Sequence, residues 1–208
     1  MSGYSKPIGF LGKILAKGMA WGHRDFYINT AKKLDLEKDD SYLEIGFGSG
    51  MFIKQYVKDV KRIAGIDYSI DMVRLAEAIN EENVKNGKAE FKQADVSFIP
   101  YNNNEFSIAV AIESFYFWTD PEKALLEIYR VLKKDGRIVI EMAYNKDDGK
   151  DHEKDVRKMK LLIYSFEQMK KLLKEAGFKD IEVSYYQGFK IPLKGYVVPK
   201  GMIIKAIK

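Results

Sequence analysis

The run Leu43-Glu44-Ile45-Gly46-Phe47-Gly48-Ser49-Gly50 limits what this chain can fold into more than any other stretch. A short apolar segment meets glycines at alternate positions and passes directly into the helical pattern Met51–Val57. A strand-to-helix turn of this kind uses backbone angles that a Cβ obstructs. It also lets a ligand lie against bare peptide, with amides of the following helix facing it. Strand, glycine turn and helix in that order form the opening unit of a parallel sheet.

The rest of the chain repeats the alternation. Further strands are expected at Arg62–Ile66, Ala89–Gln93, Ser107–Ile112, Arg137–Met142, Ile181–Tyr186 and Met202–Ile207, after a first at Tyr42–Ile45. Helical patterns occupy Ile70–Glu82 and Pro121–Leu132, the latter stopped at Lys133-Lys134-Asp135-Gly136. Ser165 and Gln168 form a capping box for a last helix that Gly177 closes. The 208 residues suit one domain. We read 1–40 as an N-terminal helical cap with apolar anchors at Trp21, Phe26, Ile28 and Leu34, and 41–208 as the core. Residues 145–160 are polar and weakly periodic. They read equally as a lid over a site or as a solvated connector.

Composition removes several chemistries. Without cysteine there is no disulfide, thiolate metal centre, iron–sulfur cluster or thiol nucleophile. No metal site is expected. No stretch reaches the ~20 apolar residues of a membrane span, and no cleavable leader is apparent, which fits a cytoplasmic protein. The net charge of +5 comes from lysines scattered among acids, as in Glu153-Lys154-Asp155. That pattern reads as solvated surface, so no nucleic-acid partner is expected.

The glycine spacing separates two ligand classes. A dinucleotide loop, Gly-x-Gly-x-x-Gly, would place its third glycine at position 51, which is Met51 here. Instead, Glu44 precedes Gly46, Gly48 and Gly50 in a Glu-x-Gly-x-Gly-x-Gly pattern. This resembles the motif of class I S-adenosylmethionine-dependent methyltransferases. Asp67, about 20 residues further on at a strand tip, suits ribose hydroxyls, and Ser69 is better placed than Asp67 to cap the next helix. Asp95 follows the third strand. Leu126 to Arg137 resembles the segment before the fifth strand in the small-molecule members, those of methyltransferase type 11 that include ubiquinone- and menaquinone-biosynthesis enzymes. The likeness spans about Ser41 to Ile207.

That resemblance implies a doubly wound, mostly parallel seven-stranded α/β sheet of Rossmann-like type with its last strand antiparallel. It implies S-adenosylmethionine as methyl donor and S-adenosylhomocysteine as product. It places the cofactor on Glu44, Gly46, Phe47, Gly48, Gly50, Asp67, Tyr68, Met72, Asp95, Val96 and Ile112, with Asp95 and the Val96 amide reading the adenine. The N-terminal cap folds over the cofactor in related enzymes.

Methyl transfer from a sulfonium is an in-line displacement, and a base is needed only when the acceptor loses a proton. His23, within Trp21-Gly22-His23-Arg24-Asp25, and Glu113, after the fourth strand, are the candidates. His152 reads as plain surface. Trp21, Tyr116, Trp118 and Tyr144, with Phe117, suggest an apolar or ring-bearing acceptor or a cationic amine. Core packing is the ordinary explanation of such aromatics. Glu113-Ser114-Phe115-Tyr116 lacks the prolines of base-amino methyltransferases. A small-molecule acceptor remains, for a monomer or homodimer. Three other readings stand beside it: a non-catalytic S-adenosylmethionine-binding module, an RNA methyltransferase and an NAD(P)-dependent oxidoreductase.

Overall fold

The computed structural model describes residues 24–149, 151–187, 190–191, 196–197 and 200–208. Trp21 and His23 lie outside them. A helix α1 (Arg24–Leu34) precedes β1 (Ser41–Ile45), α2 (Met51–Tyr56), β2 (Arg62–Asp67), α3 (Ile70–Ile79), α4 (Glu81–Lys85), β3 (Ala89–Gln93) and β4 (Phe106–Ile112). A single 3₁₀ turn, Phe115–Phe117, then leads to α5 (Pro121–Val131) and β5 (Leu132–Met142). After α6 (Glu153–Met159) and α7 (Phe166–Glu175) come β6 (Lys179–Tyr186), the short β7 (Lys190–Ile191) and β8 (Tyr196–Val197), and β9 (Gly201–Ile207).

The main sheet has seven strands in the order β3-β2-β1-β4-β5-β9-β6. β9 runs antiparallel to both neighbours, β5 and β6. The pairs β1–β2, β1–β4, β2–β3 and β4–β5 are parallel. This is the expected doubly wound sheet, and β9 is the expected antiparallel last strand. The chain leaves β1 towards β2 on one side and returns through β4 on the other, so a crevice opens beyond the carboxyl ends of β1 and β4.

Side chains alternate between two cores because successive strand residues point to opposite faces. Leu43, Ala109, Ala111, Ile138 and Ile140 pack with Leu125 and Ile128 of α5 and Met169 and Leu173 of α7. Tyr42, Ile108, Val110 and Val139 pack with Phe26 and Leu34 of α1, Phe52 and Ile53 of α2, and Val73 and Ala76 of α3. Strands covered on both faces account for the nearly continuous apolar runs of β1 and β4. Arg137 ties α1 to the core: it donates to the carbonyls of Leu34 (3.1 Å) and Asp35 (2.8 Å) and pairs with Asp40 at 2.7 Å.

The caps follow the sequence. Asp120 accepts from the Lys123 amide ahead of Pro121, and Ser165 and Gln168 bond reciprocally at the start of α7. Three details differ. The helix expected over Ile70–Glu82 breaks at Asn80, whose buried amide donates to the carbonyls of Gly50 (3.1 Å) and Ala76 (3.0 Å), a local alternative to the helix ladder. Leu132 already belongs to β5, and Gly136 serves a β4–β5 irregularity rather than a helix stop, since a Cβ there would lie 2.8 Å from the Lys133 carbonyl. Residues 145–160 contain α6, and both Asn145 and His152 are buried. His152 is therefore not surface: its Nε2 sits 2.9 Å from each Asp148 carboxylate oxygen and its ring meets Tyr144 edge-on. Among the described residues, no helix is long and apolar enough to cross a membrane.

Candidate functional site

A cavity of about 460 Å³ occupies the crevice, walled by Gly46, Asp67, Tyr68, Asp95, Val96, Glu113, Ser114, Phe117, Trp118 and Thr119, with Ile45, Ile66 and Ala94 behind them. The tips of β1, β2, β3 and β4 contribute one wall each, as the strand order requires.

The three loop glycines do different work, although all have positive φ. A Cβ on Gly50 would meet Ala76 and Asn80, each at 2.8 Å, so that glycine lets α3 approach the turn. A Cβ on Gly46 would press on Ser114 at 2.6 Å, and Ser114 Oγ in turn donates to the Ile45 carbonyl at 2.8 Å. A Cβ on Gly48 would meet nothing within 4 Å. Bare backbone at Gly48 is thus not required by packing.

Asp67 braces this loop. Its Oδ2 accepts the Gly48 amide and its Oδ1 the Ser69 amide, both at 2.9 Å. Burial raises its pKa, and these two donors oppose the rise. Ser69 caps α3 through Met72, as its position suggested. Asp95 closes its own turn by accepting the Ser97 amide at 2.8 Å. Each carboxylate oxygen keeps a further lone-pair direction for a ligand donor.

Glu113 sits directly beyond β4 with φ 54°, an uncommon conformation for a side chain with a Cβ. Its Oε1 accepts the Tyr116 hydroxyl and, at 2.6 Å, the Ala143 amide. Behind it lies fully buried Glu141 of β5, which accepts the Tyr186 hydroxyl. Burial pushes both carboxyl pKa values up. Glu44, buried beneath the glycine turn, accepts the Tyr42 hydroxyl at 2.7 Å and is pushed up to about 8, chiefly by burial.

Of the residues singled out from sequence, Gly46, Asp67, Tyr68, Asp95, Val96, Glu113 and Trp118 converge on the cavity. Others stand back from it. The ring of Phe47 packs edge-on against Phe91, over Gly65, where a Cβ would come within 2.5 Å of it. Met72 and Ile112 belong to the α1–α3 core, and Glu44 lies under the turn. Tyr116 is buried behind Glu113, and Tyr144 bridges Tyr116 and His152 with ring centroids 6.2 and 5.4 Å away. Ser114 and Thr119 of the wall, and Glu141 behind it, were not anticipated. Ser114 follows Glu113 at the end of an apolar strand, which is a positional signal. Glu141 had none beyond being a charged residue inside an apolar run.

Residues 43–140 match a family described as a methyltransferase domain. The chain is 29% identical over 158 residues to the uncharacterized methyltransferase YdaC of Bacillus subtilis, covering 75% of this chain and 81% of that protein. It is 30% identical over 158 residues to the O-methyltransferase rstn1 of Aspergillus nomiae, covering 73% and 69%. Among solved structures, phosphoethanolamine N-methyltransferase 2 of Haemonchus contortus, in complex with phosphomonomethylethanolamine and S-adenosylhomocysteine, superposes with a TM-score of 0.73 at 20% identity, over 88% of this chain and 53% of that one.

Proposed function

The chain belongs to the class I S-adenosylmethionine-dependent methyltransferase family, and from that premise we propose that its acceptor is a small molecule methylated at the Glu113 end of the cavity. The observation that carries this reading is the cavity itself. Two carboxylates on successive strand tips, Asp67 and Asp95, line it together with Glu113, Phe117 and Trp118. Its size is that of a site for compact ligands, and the O-methyltransferase rstn1 is among the relatives.

The residues fit the family cofactor. Gly46 presents its backbone to the cavity, and two residues on, Gly48 leaves open space where a Cβ would stand. Asp67 would take the ribose hydroxyls with lone pairs left over from its two amide bonds. Asp95 and the Val96 amide would take the adenine edge, beside Tyr68. When bound, S-adenosylmethionine supplies a methyl group already activated on a sulfonium. The protein aligns the acceptor and excludes water. Trp118 and Phe117 give the acceptor an apolar wall. Glu113, aimed by Tyr116 and the Ala143 amide, takes the proton of an acceptor that must lose one.

Calorimetric titration tests the cofactor assignment. S-adenosylmethionine and S-adenosylhomocysteine should both bind, and Asp67→Ala should weaken each by about 1–3 kcal/mol as sugar hydroxyls lose their partner. Unchanged affinity in a folded Asp67→Ala protein removes that residue from the site. Absence of binding by the wild type removes the whole reading. Release of S-adenosylhomocysteine with simple phenols or primary amines separates an enzyme from a module that only binds.

A further inference from the structure

The site contains an acid that the cavity does not reach. Glu141 faces Ile112 across the β4–β5 register, on the face of the sheet covered by α1. It is fully buried. One of its oxygens accepts the Tyr186 hydroxyl, and the other, Oε2, has no hydrogen-bond partner. Its side chain adjoins that of Glu113, whose backbone amide also donates to the Glu141 carbonyl at 3.1 Å.

Two adjoining carboxyls, one of them fully buried and the other at the cavity wall, do not both ionise readily. A buried anionic oxygen with no donor is costly as well. A single proton between the two groups removes both difficulties at once. Donors decide which carboxyl keeps it. Glu113, at the cavity wall, receives the Tyr116 hydroxyl and the Ala143 amide, whereas fully buried Glu141 receives the Tyr186 hydroxyl and shares the Glu113 amide with its own carbonyl. Hydrogen bonds to the charged form favour it, so Glu113 is the anion. The remaining titratable groups facing the pair are Tyr27 of α1, Tyr116 and Tyr186, with the Tyr42–Glu44 pair of β1 beyond Tyr27. All are phenols or a further acid, and Glu44 is itself held towards its neutral form by burial.

We propose that Glu141 is a positioning residue that carries a permanent proton on Oε2 and donates it to Glu113, holding Glu113 ionised to receive the proton of a hydroxyl or ammonium acceptor. This deepens the assignment above and rests on Glu113 being the base. The acceptor's lone pair takes the methyl carbon, the carbon–sulfur electron pair stays with sulfur, and the acceptor's proton passes to Glu113. Glu141 keeps its own proton throughout. Such a device has no use for an acceptor that is already an unprotonated thioether or tertiary amine, so the substrate class is one with a proton to lose.

Carbon-13 NMR of protein labelled at the glutamate carboxyls tests this without any substrate. The resonance missing from Glu141→Gln should stay at its protonated position at pH 7. The resonance missing from Glu113→Gln should ionise at the same pH in wild type and Glu141→Gln, because the glutamine amide still donates. In Glu141→Leu that midpoint should rise by about one pH unit or more, the worth of one charge-assisted hydrogen bond. Tyr186→Phe, which keeps the packing, should push the Glu141 resonance further towards its protonated form and serves if the leucine variant does not fold. Glu141 ionised at pH 7, or a Glu113 midpoint unmoved in Glu141→Leu, overturns the proposal. The two readings part company in turnover. If Glu113→Gln methylates phenols or amines at the wild-type rate, Glu113 is not the base, even with the NMR pattern intact.

Discussion

The two halves of the sheet build the site by opposite means. On the β1–β2–β3 side, each functional group sits at a strand tip and is held by backbone amides of the turns: Asp67 by Gly48 and Ser69, and Asp95 by Ser97. On the β4–β5–β9–β6 side, tyrosine hydroxyls do much of the holding, Tyr116 on Glu113 and Tyr186 of β6 on Glu141 of β5, with Glu141 behind Glu113. The first half is a surface of bare peptide that a ligand completes. The second is a closed polar nest inside an apolar core, complete before any ligand arrives. A cradle for a large, polar nucleoside needs access, while a group that keeps a proton needs exclusion of water.

Changes on the two sides should therefore register in different observables. The largest effect is expected where the cradle side itself hides a carboxyl. Glu44 binds a proton in the folded protein up to about pH 8, whereas the unfolded chain loses it near the model-compound value of 4.5. Between those values the folded state holds more protons, so stability falls as pH rises through the window and levels off above it. Glu44→Gln should flatten the profile by up to about 1.4 kcal/mol per pH unit. The slope that remains belongs to Glu113, Glu141 and Asp67, whose pKa values are shifted the same way. Parallel denaturation profiles for variant and wild type from pH 5 to 8 would erase this shared feature of the two halves.

On the nest side, Gly201→Ala should cost about 1–3 kcal/mol, since its Cβ would come within 1.8 Å of the Tyr186 ring and the hairpin of β6 and β9 must shift. Its signature is a lower unfolding midpoint together with a displaced Glu141 titration. An unaltered midpoint would show that the ring moves aside freely. The smallest effect on folding is expected for Gly48→Ala on the cradle side. The new Cβ meets open space, and only the positive φ of 53° is strained, costing about 1 kcal/mol. Its affinity for S-adenosylmethionine should nevertheless drop by about tenfold. If stability falls more than affinity, the division between cradle and nest is misplaced.

The same division explains what the sequence made legible. Strand positions and the caps of α5 and α7 rest on local spacing and propensity and read directly, whereas the antiparallel β9 came only with the family resemblance. The convergence of Gly46, Asp67 and Asp95 was also legible, because a glycine turn followed by acids on successive strand tips fixes their positions through topology alone. Phe47 stands between two loop glycines, yet its ring enters the core because Gly65 on the next strand leaves room for it, a cross-strand fact. His152 lay in a charged stretch that reads as surface until Asp148 and Tyr144 fold over it. The pairing of Glu113 with Glu141 joins residues 28 positions apart through the β4–β5 register, and nothing local in either strand announces it.

Tyr186 reaches Glu141 from the far edge of the sheet, with its ring laid on Gly201. If Glu113 and Glu141 act as proposed, β6 and β9 are thereby tied to the chemistry, although none of their described residues lines the cavity. On that assignment, variation at Tyr186 or Gly201 would give selection a remote dial on acidity at the reacting end, one that could be turned without reshaping the pocket.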